Sequence, residues 1–362
     1  MNLTLQTDLF AQALRRVAAV APKKAVIPIL ANVLLQAEST TLRLSTTDLE
    51  VSLTTSCDAS VTQHGSMTLP VARLAEIVSK LTSESVTLSM QASDNALSAL
   101  QANIVSGAFT SRLQTLPAED FPTLPRPIGD AILLNGDAFR TCIRKVKTCV
   151  SDDHSRYTLN CALFVLTHTT MTLVATDGRR LAMATALHTG LSLPDTMLPL
   201  HTLDLLLQTD GDLSFSISEQ QLFFTSEHAV ITSRTLEGQF PAYQRIIPTN
   251  PSTAILHRQS LIAALERVAL MASRESSAVT WNLTPNQVQL STVSAEIGDA
   301  VEILPITYAG DTLTLSLNGS FVLDMLNNAD TETVTLAVKD AISATLFSDG
   351  ANFITVIMPM RM

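Results

Sequence analysis

The sequence predicts an α+β protein of three tandem domains, each holding a strand–helix–strands unit used twice. Three observations carry that prediction. A basic amphipathic helix pattern occurs three times, a second helical stripe follows it each time, and short alternating segments fill the intervals. The segments are β-branched and bounded by turn residues, as half-buried strands are.

The first basic helix is predicted around "ALRRVAAVAPKK", residues 13–24, where Phe10, Ala13, Leu14, Val17, Ala18 and Ala21 share one face. "GDAFRTCIRKVKTCV" (136–150) repeats the template with Phe139, Cys142, Ile143 and Val146. "HRQSLIAALERVALMASR" (257–274) repeats it again with Leu261, Ala264, Leu265, Val268, Ala269 and Ala272. One basic register survives all three times, as Arg16, Lys145 and Arg267, while Glu266 breaks the neighbouring one.

The second stripe is predicted in "PVARLAEIVSKL" (70–81), "LHTLDLLLQ" (200–208) and "GSFVLDMLNN" (319–328), aligned on Glu76, Asp204 and Asp324. Strands are expected in "TLRLSTT", "LEVSLTT", "SVTLSM", "MTLVAT", "LSFSIS", "QLFFTS", "QVQLST", "TLTLSL" and "TVTLAV". Each helix is entered from a short strand, often through a capping Thr, Asp, Asn or Ser. Prolines cluster at 116–130 and 240–252, each cluster with a Phe-Pro pair, and mark exits into linkers. The domains are expected at 1–125, 129–250 and 252–362.

Composition narrows the class. The chain has 362 residues and 46% hydrophobic content, but only 12 Phe, 3 Tyr and 1 Trp, so its cores are aliphatic. No apolar run reaches the ~18 residues of a membrane span, and "MNLTLQTDLF" lacks the layout of a secretory signal. Cys57, Cys142, Cys149 and Cys161 form no CxxC pair, so a reduced, cytoplasmic protein is expected. Neither a metal nor a cofactor is implied. The seven histidines make no HxH or HExxH, and no GxSxG or GxxxxGK[ST] appears. "SDDHSR" (151–156) joins two carboxylates to a histidine, and it is read as a polar loop after a helix rather than a catalytic or metal site.

Charge is segregated. Net charge is −10, yet the windows 7–24, 136–147 and 257–274 hold 11 of the 23 Lys and Arg against three acids. A helix buried on one side must place its cations on the other, which predicts one shared basic surface. Helices inside and sheets outside, spaced ~10 Å apart, would close six helices around a ~9 Å hole and twelve around ~28 Å. Only the second admits duplex DNA, so a head-to-tail dimer is expected. Sequence readout is not, because no helix groups the Asn, Gln and Arg of a major-groove reader.

Seven segments spread along the chain stand out: "KAVIPILANVLLQ", "TTDLEVSL", "LQTLPAEDFP", "RYTLNCALF", "ATDGRRLA", "LEGQFPAYQRIIP" and "VIMPMRM". Through them the chain as a whole resembles the bacterial DNA polymerase III β subunit family of replicative sliding clamps. The resemblance implies the DNA clamp fold, closing as a homodimeric six-domain ring on double-stranded DNA. It also implies a clamp loader that opens the ring, and polymerases and repair proteins that dock through a short linear motif. The family is a processivity factor without catalysis of its own. Its peptide pocket maps onto Leu159, Thr176, Gly178, Arg180, Leu181, Pro241, Arg245, Ile246, Val356, Ile357, Met358, Pro359, Met360 and Arg361. Methionines suit such a floor because they adapt to several ligands, and arginines can meet a peptide's acidic end. Arg179 and Thr158 depart from the family's usual His and aromatic, and Met362 from its terminal Leu. The DNA contacts map onto Lys24, Arg156 and Tyr157, and the helix pattern adds Lys23, Arg144 and Lys145. The dimer seam maps onto Leu113 facing Leu270 and Met271, with Arg73 pairing Glu296 or Glu302. Ser111 stands there in place of an aromatic.

Overall fold

A computed structural model describes residues 1–362 except 23, 92–100, 128, 154, 273–276, 351 and 362. The described chain divides into two compact units: residues 1–136 with 204–235, and residues 137–203 with 236–362.

The six expected helices form, as α1 (Thr7–Ala18), α2 (Val71–Val78), α3 (Gly136–Lys147), α4 (Leu200–Leu206), α5 (Arg258–Ala269) and α6 (Gly319–Asn328). Their apolar stripes point inward as the spacing requires. Phe10, Ala13, Leu14 and Val17 are buried in α1, Phe139, Cys142, Ile143 and Val146 in α3, and Leu261, Ala264, Leu265 and Val268 in α5. In the first unit α1 packs on α2, and in the second α5 packs on α6.

Helix starts divide by local chemistry. The Asn318 side chain caps α6, accepting from the backbone N–H of Ser320 at 2.9 Å and of Phe321 at 3.2 Å. His257 caps α5 through Nδ1, which accepts from the Ser260 N–H. α1 and α2 have no side-chain cap. Thr7, the first residue of α1, donates its hydroxyl to the Ser83 carbonyl at 2.7 Å and ties α1 to the segment after α2.

Among the described residues the first unit carries a 12-stranded antiparallel sheet, and the second carries sheets of nine and four strands. Two long-range joins build the large sheets. Val51–Gln63 pairs with Ala229–Arg234, Leu53 opposite Ile231. Arg180–Leu187 pairs with Phe353–Ile357, Leu181 opposite Val356. Both are alternating segments, so one face of each lies on helices and the other is left for loops or ligands. In the second unit Phe139 of α3 packs on Phe164, ring centroids 5.1 Å apart. The single tryptophan, Trp281, is fully buried edge-on to Phe347 at 6.1 Å. The four cysteines are free thiols, and burial pushes Cys57, Cys149 and Cys161 up to about 12.

Candidate peptide groove, cationic face and open sheet edges

Strand alternation in the second unit brings one apolar patch to the sheet's outer face. Cys161, Leu163, Val174, Leu181, Met197 and Val356 form its buried base. Partly buried Val165, Met183, Leu236, Phe240, Tyr243, Ile247, Ala344 and Leu346 pack against it. Two expected pocket residues, Leu181 and Val356, are therefore at the centre. The rest of the base was missed, although the i, i+2 series Cys161, Leu163, Val165 and Leu181, Met183 was available in the sequence as the same-face signal. Phe240 was visible only as the partner of Pro241.

The expected rim is ordered around this base. Thr176 donates its hydroxyl to the Arg180 carbonyl at 2.7 Å, and Asp177 Oδ1 accepts from the N–H groups of Arg179 and Arg180. Gly178, at φ +86°, makes the turn between them, a conformation that penalises a side chain. The C-terminal segment is pinned by backbone bonds from Met358 N–H to Arg179 O, and from Met360 N–H to Ser316 O at 2.8 Å. Met358 and Ile246 are exposed, Pro241, Pro359 and Met360 half-buried, and Arg245 and Arg361 exposed. Leu159 ends a 3-10 turn and is half-buried.

Two pocket expectations need correction. Ile357 is fully buried and, one residue beyond Val356 on a strand, belongs to the opposite face. Arg180 has no free guanidinium to offer a peptide. Its Nη1 donates to Asp324 Oδ2 at 2.6 Å, its Nε to Asp177 Oδ2 at 3.0 Å, and its Nη2 to the Thr148 carbonyl. Its carbon plane also lies 4.1 Å from the centre of the Phe321 ring. Burial disfavours the charge, but Cys149, Asp324 and Asp177 together outweigh it and hold the guanidinium above its ordinary value.

The cationic expectation also needs correction, and the reason is instructive. Lys145 is 7% exposed. Its Nζ sits 2.7 Å from Asp330 Oδ2 and 3.2 Å from Asp349 Oδ2, over the Phe353 ring at 5.1 Å. It holds the fold together and cannot meet a phosphate. The rest of the register is also paired but more exposed, with Arg16 at 3.6 Å from Asp210 and Arg267 bound to Glu302 through Nε at 2.9 Å. Arg140 is buried against Asp137, and Arg258 donates to the carbonyls of Thr331 and Leu326. The charge count in the sequence thus overstated the free cations. The register left in solvent is the neighbouring one, Arg15 and Arg144, which Glu266 interrupts on α5. Lys24, Arg156 and Tyr157 are exposed, and Lys23 lies outside the described residues.

Among the sheets' edge strands, two bear on the expected dimer seam. Phe109–Gln114 pairs only with Gln101–Ser106, and Gly298–Pro305 only with Gln287–Ser294. Each presents apolar side chains, Phe109 at 42% exposed on the first, and Val301 and Ile303 at 57% and 56% on the second. Leu113 is half-buried on the first edge, and Leu270 and Met271 lie exposed just beyond α5. Glu296 is exposed in the turn before the second edge. Arg73 and Glu302 each have a partner in their own chain, Glu76 at 2.8 Å and Arg267. An expected Arg73–Glu302 pair would have to displace both.

The comparisons with known proteins agree along the whole length. Family models for the DNA polymerase III β subunit match in three parts: the N-terminal domain at residues 1–125, the central domain at 133–242 and the C-terminal domain at 244–361. The β sliding clamp of Caulobacter vibrioides is 30% identical, with all of both chains aligned. A crystal structure of the C. crescentus β sliding clamp superposes with a TM-score of 0.95 at 28% identity, covering 100% of this chain and 99% of that one. The sliding clamp of Bartonella birtlesii bound to griselimycin gives 0.93 at 30% identity, over 100% of both chains.

Proposed function

Because this chain belongs to the DNA polymerase III β-subunit family of sliding clamps, we propose that two copies close head to tail into a six-domain ring on duplex DNA. The ring holds its partners through the groove over Leu181 and Val356. The domains in this reading run over 1–125, 129–250 and 252–362.

The strand joins carry the reading. Val51–Gln63, Arg180–Leu187 and Gly298–Pro305 occupy the same place in successive repeats, the third strand after the basic helix. Ala229–Arg234, Phe353–Ile357 and Phe109–Gln114 are likewise equivalent, the last strand of each repeat. Within the chain the first set pairs with the second twice. The one strand left over from each set is paired when a second copy docks head to tail, which also covers two aggregation-prone edges. Leu113, Leu270 and Met271 then meet across that seam, near Arg73, Glu296 and Glu302.

Duplex DNA is held loosely by Lys24, Arg144, Arg156 and Tyr157, with Lys23 a further candidate from the sequence, and without reading bases. The clamp works in the cytoplasm at the replication fork as a processivity factor with no catalysis of its own. A clamp loader opens it, and the replicative polymerase, other polymerases and repair proteins share the groove through a short apolar peptide motif. Griselimycin bound to the Bartonella relative supports a ligand-binding groove in this family.

The test is topological. The protein should stay on nicked circular plasmid through gel filtration and leave once the plasmid is linearised; equal loss from both forms overturns the ring. Met360→Asp should weaken a polymerase-derived peptide at least tenfold by calorimetry, with the dimer intact. Unchanged affinity removes the groove assignment.

A further inference from the structure

Two of the three register cations are handed to the following repeat. Arg16 reaches Asp210, just past α4, and Lys145 reaches Asp330, just past α6, together with Asp349 in the turn before Phe353–Ile357. Arg267 turns back instead onto Glu302 of its own repeat.

The cause is legible in the acceptor positions. Buried Leu74, Val78, Val86 and Leu88 of the first repeat align without a gap on Val322, Leu326, Val334 and Leu336 of the third. Thr82 therefore stands in the place of Asp330. The hairpins fix the second acceptor. Leu336 faces Phe347, Phe215 faces Phe224 and Leu88 faces Ile104. Two residues further on come Asp349, Ser226 and Ser106. At these two positions Lys145 thus has two carboxylates, Arg16 one and the remaining site none; Glu76, which also lines that site beside Lys80, is held by Arg73 at 2.8 Å.

The cavities follow suit. Asp210 and Ser226 line the space around Arg16, where about 20 Å³ remains. Thr82 and Ser106 line an open cavity of about 480 Å³ beside Phe109, on the unpaired edge.

We infer that this cavity receives the Arg267 end of α5 from a second copy, and that the seam lacks the carboxylate acceptor that the register cation finds at both internal joints and that buries it at the Lys145 joint. The inference rests on the ring reading. Separating a buried cation from its carboxylates strands charge in the interior, and that cost holds the Lys145 joint shut. At the seam Arg267 keeps Glu302 whether the ring is open or closed, so the joint parts without stranding a charge. The opening joint is written into positions 82 and 106.

The test restores the acceptor. T82D should tighten the dimer about tenfold, measured by sedimentation on dilution, and slow subunit exchange to match. T82N should stay within about twofold of the parent, and T82D should gain nothing in an R267Q background. A T82D no tighter than T82N overturns the inference, as does a gain that survives R267Q. T82E, read the same way, serves if T82D folds poorly. A parent protein that stays monomeric at every concentration instead removes the ring reading, and this inference with it.

Discussion

Arg16 in the first unit and Lys145 in the second occupy one position of the repeat, yet the molecule uses them differently. Arg16 meets a single carboxylate at 3.6 Å, with side chains 29% and 82% exposed. Lys145 is enclosed with Asp349, side chains 8% and 5% exposed, and with Asp330 at the rim. An exposed pair is screened and contributes little, whereas removing one member of a buried pair strands the other. A recurring cation in a sequence thus says where charge is placed in the repeat, and the second acceptor decides whether it becomes part of the core.

The largest expected effect breaks the buried side of that comparison. Lys145→Ala should cost about 3–5 kcal/mol in urea unfolding followed by Trp281 fluorescence, because Asp349 is left unpaired. A loss under about 1 kcal/mol would erase the distinction. Arg180→Ala should cost about 2–3 kcal/mol on the same transition, since Asp324, Asp177 and the Thr148 carbonyl lose a charged donor.

On DNA the ranking inverts. Arg144→Gln should flatten the salt dependence of binding by about one charge, while Lys145→Met should leave the slope alone. An equal change in both would return Lys145 to the DNA face. Arg16→Ala should cost about 0–1 kcal/mol and leave the Trp281 transition unmoved, since it lies in the other unit.

Alkali separates the two cations last. Burial lowers the Lys145 pKa, but Asp330 and Asp349 outweigh it, so the group titrates above the ordinary lysine value in the folded state. Its stabilisation is therefore complete below that value and fades as pH rises through the folded pKa. The stability gap between parent and Lys145→Met should be constant at neutral pH and narrow in strong alkali. A gap that widens there would contradict the ion-pair origin.

Much of the architecture was legible because repetition multiplies weak signals. Helical spacing at Phe10, Ala13, Leu14 and Val17 is modest alone, but its recurrence at Phe139 and Leu261 made the six helices and their buried faces readable. The edges and joins were less so, since alternation reveals a strand and leaves its neighbour open. On the apolar patch, Leu181 and Val356 were named through resemblance, while the packing of Met183, Tyr243 and Leu346 against them needed the strands brought side by side.

The amino-acid order by itself determined the triple repeat, the strand and helix pattern and the position of the cations, because these depend on spacing along one chain. Only the tertiary structure decided which cations are free. Asp349 lies 204 residues from Lys145 and Asp324 lies 144 from Arg180, and a carboxylate neutralises a cation by distance and burial, neither of which local periodicity encodes.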